Sequence, residues 1–374
     1  MFSSEFRALV VRSTAMASTS AAGAQNGTAS GSVETSVGST IFARLHPQQY
    51  LSRFLALSLR PDGRSARAWR GTTVAPSSIS SAQGSSMVRL GGTVIVAGVK
   101  AEIVDTTQEP EEEEDDEDNT EASGRLLGRR LVPNVDLGPM ASARFRPGPP
   151  GQEAQVVSHQ LYHILSSCPP LDARSLTIER GHAAWCLYVD LVCIAYDGNV
   201  LDAALLALMT ALRETSLPAT RFDVDELRVI CDPDPATARR LELKSLPLAC
   251  SFGIVDGSHL LCDPNAFEST LTSASVVVAV NALRETDADE EEEELIHVET
   301  SGLAKARITH EEMHDANLAP SAAGDQSDAT VKEAPDGSSI IIKDEALTQL
   351  CVQRAKARCR ELRSLVLSSS SSRS

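Results

Sequence analysis

No stretch of the chain is apolar over the length needed to cross a bilayer, and the N-terminus has no continuous apolar segment of the secretory type. The expectation is a protein without membrane spans. There is no Cys-x-x-Cys pair and no His/Cys clustering of the kind zinc requires, although cysteines stand at 168, 186, 193, 231, 250, 262, 351 and 359. Several lie inside apolar segments, as reduced core cysteines do. A reducing compartment and the absence of any bound metal or cofactor are therefore expected. Basic residues are missing altogether from 109–118 and from 285–294, whose carboxylates together equal the net charge of −17. Without these two runs the chain is formally neutral, so a locally basic surface on a folded domain is compatible with the composition. The runs themselves read as solvated loops or as docking sites for a basic partner.

Apolar periodicity is also missing from residues 1–40, which are rich in Ser, Ala, Gly and Thr. Their start faintly resembles a transit peptide, but Glu5 and the low-complexity continuation to Thr40 point to a disordered tail. Order is expected from Ile41, where Phe42, Leu45, Tyr50, Leu51, Phe54 and Leu55 suggest a short helix.

The stretch 185–213 organises the rest. Residues 185–195 read as a strand buried on both faces, broken only by Asp190. Asp197, Gly198 and Asn199 then form a turn into a helix. Asn199 is placed to cap it, Asp202 sits in its first turn, and Leu201, Ala204, Leu205, Leu208 and Leu212 follow at helical spacing. A turn into a helix N-terminus can hold an anion. Between 198 and 207, however, there is no arginine, lysine or hydroxyl, and the unit reads as structural core.

Upstream, arginines at 60, 64, 67 and 70 surround a Pro-Asp-Gly turn; either they contact an anion or nucleic acid, or they are tied into ion pairs. Residues 85–104 predict two strands joined at Leu-Gly-Gly-Thr, and 106–130 an acidic loop inserted before a strand at 131–137. Arg144-Phe145-Arg146 and a Pro/Gly breaker precede an amphipathic helix with Val156, Val157, Leu161, Ile164 and Leu165 inward. Short strands are expected at 175–179, 227–230, 249–255, 259–261 and 275–280. Residues 284–338 read as a second insertion, acidic and low in complexity, around a small region at 303–308. The segment 339–374 reads as a helix that completes the core, followed by a Ser-rich tail. Leu347, Leu350, Cys351, Cys359, Leu362 and Leu365 would pack inward, while Arg354, Lys356, Arg358, Arg360 and Arg363 form a basic face, solvated or touching RNA.

Several of these segments, in this order, carry a resemblance. RPDGR, GSSMVRLGGTVIVAGVKAEI, PNVDL, FRPGPPGQEA, WCLYVDLVCIAYDGNVLDAALLA and SFGIV followed by LLCDP resemble the RNase PH family, and more narrowly the non-catalytic ring subunits of the eukaryotic RNA exosome. The resemblance implies an α+β fold of the ribosomal protein S5 domain 2-like type, built as two related halves over a core of 41–283 plus the C-terminal helix. It further implies a six-membered ring with other RNase PH-like subunits, capped by further exosome subunits, around a pore for single-stranded RNA, and work in RNA processing and degradation in nucleus, nucleolus and cytoplasm. Active members hold phosphate with a Gly-Thr-Arg after the central strand, where this chain has Asn199, Val200 and Leu201; they also carry paired aspartates, for which the count gives Ser269 and Ser275. Leucine has neither the charge nor the fork of arginine, and serine is no carboxylate. Asp263 and Glu268 are the only carboxylates left nearby. The expectation is a subunit with no catalytic residue, whose RNA contacts are Arg89, Lys100, Arg144 and Arg146. The alternatives are an active phosphate-dependent 3′ to 5′ exoribonuclease and an acidic adaptor.

Overall fold

The computed structural model describes residues 41–107, 120–223, 226, 228–232, 234–257, 259–283, 294–302, 305–308, 331–333 and 340–368. The expected tail 1–40, the first acidic run, nearly all of the second and the Ser-rich end lie outside the described residues. Two compact units divide the chain, Met1–Tyr50 and Leu51–Ser374. Residues 41–45 are helical, and helix α1 follows at Pro47–Leu55.

Six strands form the first sheet: β1 (Thr72–Pro76), β2 (Gly84–Leu90), β3 (Thr93–Asp105), β4 (Leu131–Asp136), β5 (Thr177–Glu179) and β6 (Ala183–Ala195). Their order is β1-β2-β3-β6-β4, with β5 also on β6, and β4 alone runs parallel to β6. Val88, Leu90, Ile95, Ala97 and Val99 alternate onto the covered face, as period-two patterning requires. Strand β6 departs from the expected two-faced burial. It is enclosed on both sides only over its first five residues; beyond them Tyr188 and Asp190 are exposed on one face of the sheet. A 3₁₀ turn at Ala173–Leu176 takes the start of the strand expected at 175–179.

The expected acidic loop 106–130 is corrected at its C-terminal end, where Thr120–Arg130 is helix α2. The segment reads as loop because the acidic run precedes it and little in it could pack, yet Leu127 is buried and Arg130 donates to the Ala173 carbonyl at 2.9 Å and to Thr177 Oγ1 at 2.6 Å. Helix α3 (Gln152–Ser167) packs beside it. Ala154, Val157, Leu161, Ile164 and Leu165 face inward, whereas Val156, expected among them, is 48% exposed because one 100° step carries it off the buried stripe.

Helix α4 (Val200–Arg213) is buried all round from Val200 to Leu212. It packs on β2 and β3 of the first sheet and on β11 (Pro247–Val255) of the second, which explains a sequence without a polar stripe. Between them run the short strands β7 (Ser216–Leu217), β8 (Thr220–Asp223), β9 (Arg228–Cys231) and β10 (Arg239–Arg240), paired β7 with β10 and β8 with β9. The second sheet continues through β12 (His259–Cys262), helix α5 (Ala266–Ser269) and β13 (Thr272–Asn281).

Here the expected insertion 284–338 is corrected too. Strands β14 (Glu294–Ser301), β15 (Lys305–Ile308) and β16 (Val331–Glu333) lie within it and join β17 (Ile340–Lys343) in the order β14-β13-β11-β12-β15-β17-β16. Ile296 and Val298 of β14 pack against the core, a two-residue alternation overshadowed in the sequence by the acidic run before it. Helix α6 (Asp344–Ser368) covers β11 and β13 with Leu347, Leu350, Cys351, Ala355, Cys359, Leu362 and Val366; Leu365 is only partly buried. All eight cysteines are free, and Cys250 and Cys359 touch in the core at 3.9 Å. One continuous apolar core runs through both sheets, so the two halves are structurally one body.

Candidate functional site

The chain leaves β6 through Tyr196, Asp197, Gly198 and Asn199. Gly198 lies at φ +76° and Asn199 at φ +50°, successive left-handed residues for which glycine and asparagine are best suited. A Cβ on Gly198 would stand 2.6 Å from the Ala266 nitrogen, so the turn is pressed onto the start of α5, and Ala266 N–H donates to the Asp197 carbonyl at 3.1 Å. Asn199 does not cap α4 as expected. Its left-handed backbone turns the side chain away from the first-turn amides, and its Nδ2 donates instead to Asp202 Oδ2 and Asp263 Oδ1, both at 2.7 Å.

Arg70 enters this turn beneath Gly91 and Gly92, where Cβ atoms would come within 2.4 Å of Arg70 Cδ and 2.7 Å of Asp197 Oδ2. It grips Asp263 with both edges of its fork, Nε to Oδ2 at 2.8 Å and Nη2 to Oδ1 at 2.6 Å, and donates from Nη1 to the Asp197 carbonyl at 2.7 Å. The two side chains are 5% and 0% exposed. Burial alone would raise the Asp263 carboxyl, but the hydrogen bonds and charge of Arg70, with Asn199, hold it below its ordinary value. Asp202 accepts from Ser251 N at 2.9 Å and Ser251 Oγ at 2.7 Å. Burial nevertheless pushes its carboxyl up to about 7, against those bonds and with the Asp263 charge adding.

The Pro-Asp-Gly arginines are also committed inward. Arg60 donates to the carbonyls of Cys262 at 2.5 Å and Ala66 at 2.7 Å and pairs with Glu268 at 3.4 Å. Arg64 pairs with Asp62 at 2.7 Å and lies 3.7 Å from Asp263 and 3.8 Å from Glu268. Burial lowers Arg60 and raises Glu268, each opposed by the other's charge. Of the two readings left open for this cluster, Arg60, Arg64 and Arg70 take the ion-pair one. Asp263 and Glu268 therefore face arginines in the interior. Arg358 of the basic helix face is drawn in as well, donating to Thr72 Oγ1 at 2.7 Å with its guanidinium 5.6 Å from the Trp69 ring.

On the outer side of the turn lies a cleft of about 420 Å³ that gathers Asn199, Val200 and Leu201 with Ser269 and Ser275, the positions singled out by the expected correspondence to phosphate-binding and carboxylate residues. Ser251, Thr270 and Thr272 line it too, so its polar surface is largely hydroxyl. One carboxylate that sequence reasoning missed does reach it, Glu153, which shares the wall with Arg144 and Tyr196. A second hollow, about 880 Å³, continues past Arg144 and Glu153 under the Pro/Gly loop and includes Arg146. Among the described residues no group of His, Cys, Asp and Glu could hold a metal ion.

Of the four expected RNA contacts, three share one end of the first sheet. Arg89 is opposite Val94, Val94 is opposite Ala195, and the next residue, Tyr196, accepts from Arg144 Nη1 at 3.3 Å. Arg89 is exposed and donates to the Gly91 carbonyl at 2.9 Å; Arg146 is exposed on the loop. Lys100 is not brought to them. It is opposite Tyr188, about 20 Å farther along β3, and pairs with Glu102 at 2.7 Å.

Residues 68–218 match domain 1, and 245–316 domain 2, of the 3′ exoribonuclease family RNase PH. The exosome complex component rrp43 of Schizosaccharomyces pombe is 36% identical over 255 residues, which is 68% of this chain and 88% of that protein. The exosome complex component Rrp42 of Methanothermobacter thermautotrophicus is 33% identical over 221 residues, 59% of this chain and 74% of the relative. The Archaeoglobus fulgidus exosome with RNA bound to the active site contains a chain of the same fold, with a TM-score of 0.57 at 23% identity over 88% of this chain and 98% of its own. Both halves of the fold, in order, and a relative matched over most of its length lead to one assignment: this chain belongs to the RNase PH family of 3′ exoribonucleases.

Proposed function

We propose that the chain is a non-catalytic ring subunit of the RNA exosome, assembled with other RNase PH-like subunits and cap subunits, which holds and threads single-stranded RNA. The relatives named as exosome components support the assembly. The observation that supports inactivity is the fate of the charges around the turn: Leu201 stands where an arginine would grip phosphate, and the buried Arg70 is consumed by Asp263. Catalysis of phosphoryl transfer depends on preorganised charge at the transferring group, and removing one such donor typically costs about 10²–10³ in rate. The test incubates the purified chain with RNA and inorganic phosphate and resolves the products. No nucleoside diphosphate is expected; release that requires phosphate and exceeds a mock preparation would overturn the reading.

In this proposal the RNA path runs over Arg89, Arg144 and Arg146, with Lys100 left out by its position. Cations on exposed loops reach phosphates without losing their hydration. Changing Arg144 and Arg146 together to glutamate in an assembled ring should weaken RNA binding and lower the slope of log K against log salt by about 1.4, at about 0.7 per contact on a single strand. An unchanged slope in an intact ring would remove these residues from the path. The expected nuclear, nucleolar and cytoplasmic placement belongs to the same proposal and is read by microscopy of a tagged chain.

A further inference from the structure

Arg144 is not a free cation. Its Nη2 lies 2.5 Å from Glu153 Oε2, its Nη1 donates to Tyr196 OH, and its guanidinium stands 5.0 Å from the Tyr196 ring and 5.2 Å from Phe145. Glu153 is held in place by its other oxygen, Oε1, which accepts from Tyr196 OH at 2.7 Å. It also sits in the first turn of α3, where the helix N-terminus favours an anion. The rings of Phe145 and Tyr196 meet edge to face at 5.1 Å and fix the loop against the end of β6, and Tyr196 N–H donates to the Ala141 carbonyl at 3.1 Å. Burial and the Glu153 hydrogen bond push the Tyr196 hydroxyl up to about 12, so it stays a donor. The pair forms the common wall of the two hollows, and its side chains are 48% and 37% exposed.

An ion pair this open to water is weak and is replaced by any other anion that fits the same guanidinium edge. A phosphate of a strand lying along the two hollows is such an anion. We infer that Glu153 is an internal competitor for the RNA backbone, a positioning residue that occupies Arg144 in the absence of RNA, limits how tightly that arginine holds a phosphate, and so keeps the strand free to advance. This rests on the RNA path proposed above.

The experiment uses the assembled ring and a fluorescein-labelled oligouridylate, with binding followed by anisotropy at low and high salt. Glu153→Gln keeps an acceptor for Tyr196 OH and loses only the charge. It should bind RNA about two- to five-fold more tightly at low salt, with a steeper salt dependence and a gain that fades at high salt. In the background of Arg144→Ala the same change should do nothing, because the gain acts through that arginine. Glu153→Asp, which withdraws the charge by one methylene, should move in the same direction by less. If Arg144→Ala weakens binding while Glu153→Gln does not tighten it, the inference is overturned and the RNA path stands. A gain from Glu153→Gln that persists without Arg144 would make the effect one of general charge and overturn it equally. If neither residue affects binding, the path itself fails. Exclusion of both Glu153 variants from the ring would make the residue architectural and also overturn the inference.

Discussion

Asp263→Asn is expected to lower the stability of the chain by about 3–5 kcal/mol, because removing one partner of a buried ion pair leaves the other charged and uncompensated. The fork of Arg70 would keep a single acceptor and meet an amide that itself donates, leaving the Asp197 carbonyl at 2.7 Å and longer contacts to the Gly198 carbonyl at 3.4 Å and to Thr93 Oγ1 and Asp197 Oδ2 at 3.5 Å. Denaturant unfolding measures the loss. The matched control is Asp197→Asn: Asp197 is 43% exposed and 3.5 Å from Arg70, and its replacement should cost no more than about 1 kcal/mol. Equal effects from the two substitutions would show that the Arg70 fork is not what joins the halves. The pH dependence has a definite sign. Since the folded-state value of Asp263 is held below the ordinary one, its contribution is present above the unfolded carboxylate value and is lost as pH falls through the folded one. The difference between parent and variant should accordingly shrink on acidification.

Gly198→Ala is expected to be the second large effect, about 3 kcal/mol or more. A left-handed alanine costs about 1–3 kcal/mol, and a Cβ 2.6 Å from the Ala266 nitrogen and 2.7 Å from the Asn265 carbonyl carbon adds the cost of moving backbone. Gly63→Ala separates the two contributions. Gly63 is also left-handed, at φ +84°, but nothing stands within 4 Å of its Cβ position, so only the conformational part remains. Thermal unfolding that shifts equally for both variants would mean that the turn can move away from α5 at no cost.

The positions of these two residues show what can and cannot be read from a sequence. Strand β6 and helix α4 are local: apolar runs and a Gly-Asn turn are written in consecutive residues, and both elements fold where periodicity places them. That Leu201, Ser269 and Ser275 would lie near one another was an expectation of the family resemblance, and all three line one cleft. Long-range pairings were not. Nothing near Arg70 announces that its carboxylate stands 193 positions later, so its cluster stayed divided between anion binding and ion pairing. Glu153 was hidden for a related reason, since its role depends on Arg144 folding back across the Pro/Gly breaker onto Tyr196. Helix α2 and strand β14 were missed because adjoining acidic runs dominate the composition of any window that contains them.

The separation between Arg70 and Asp263 also sets a schedule for the nascent chain. At about 5–20 residues per second, a ribosome that has just made Arg70 needs on the order of 10–40 s to reach its partner. Once β6 and the Asp197 turn have been made the first sheet can form, but until Asp263 follows the guanidinium has only the half-exposed Asp197 as a counter-ion, and the apolar underside of α4 has no second sheet against it. The first half is thus obliged to wait as an incomplete surface. Chains stalled before residue 263 should be retained by chaperones, and chains stalled after α6 should be released from them.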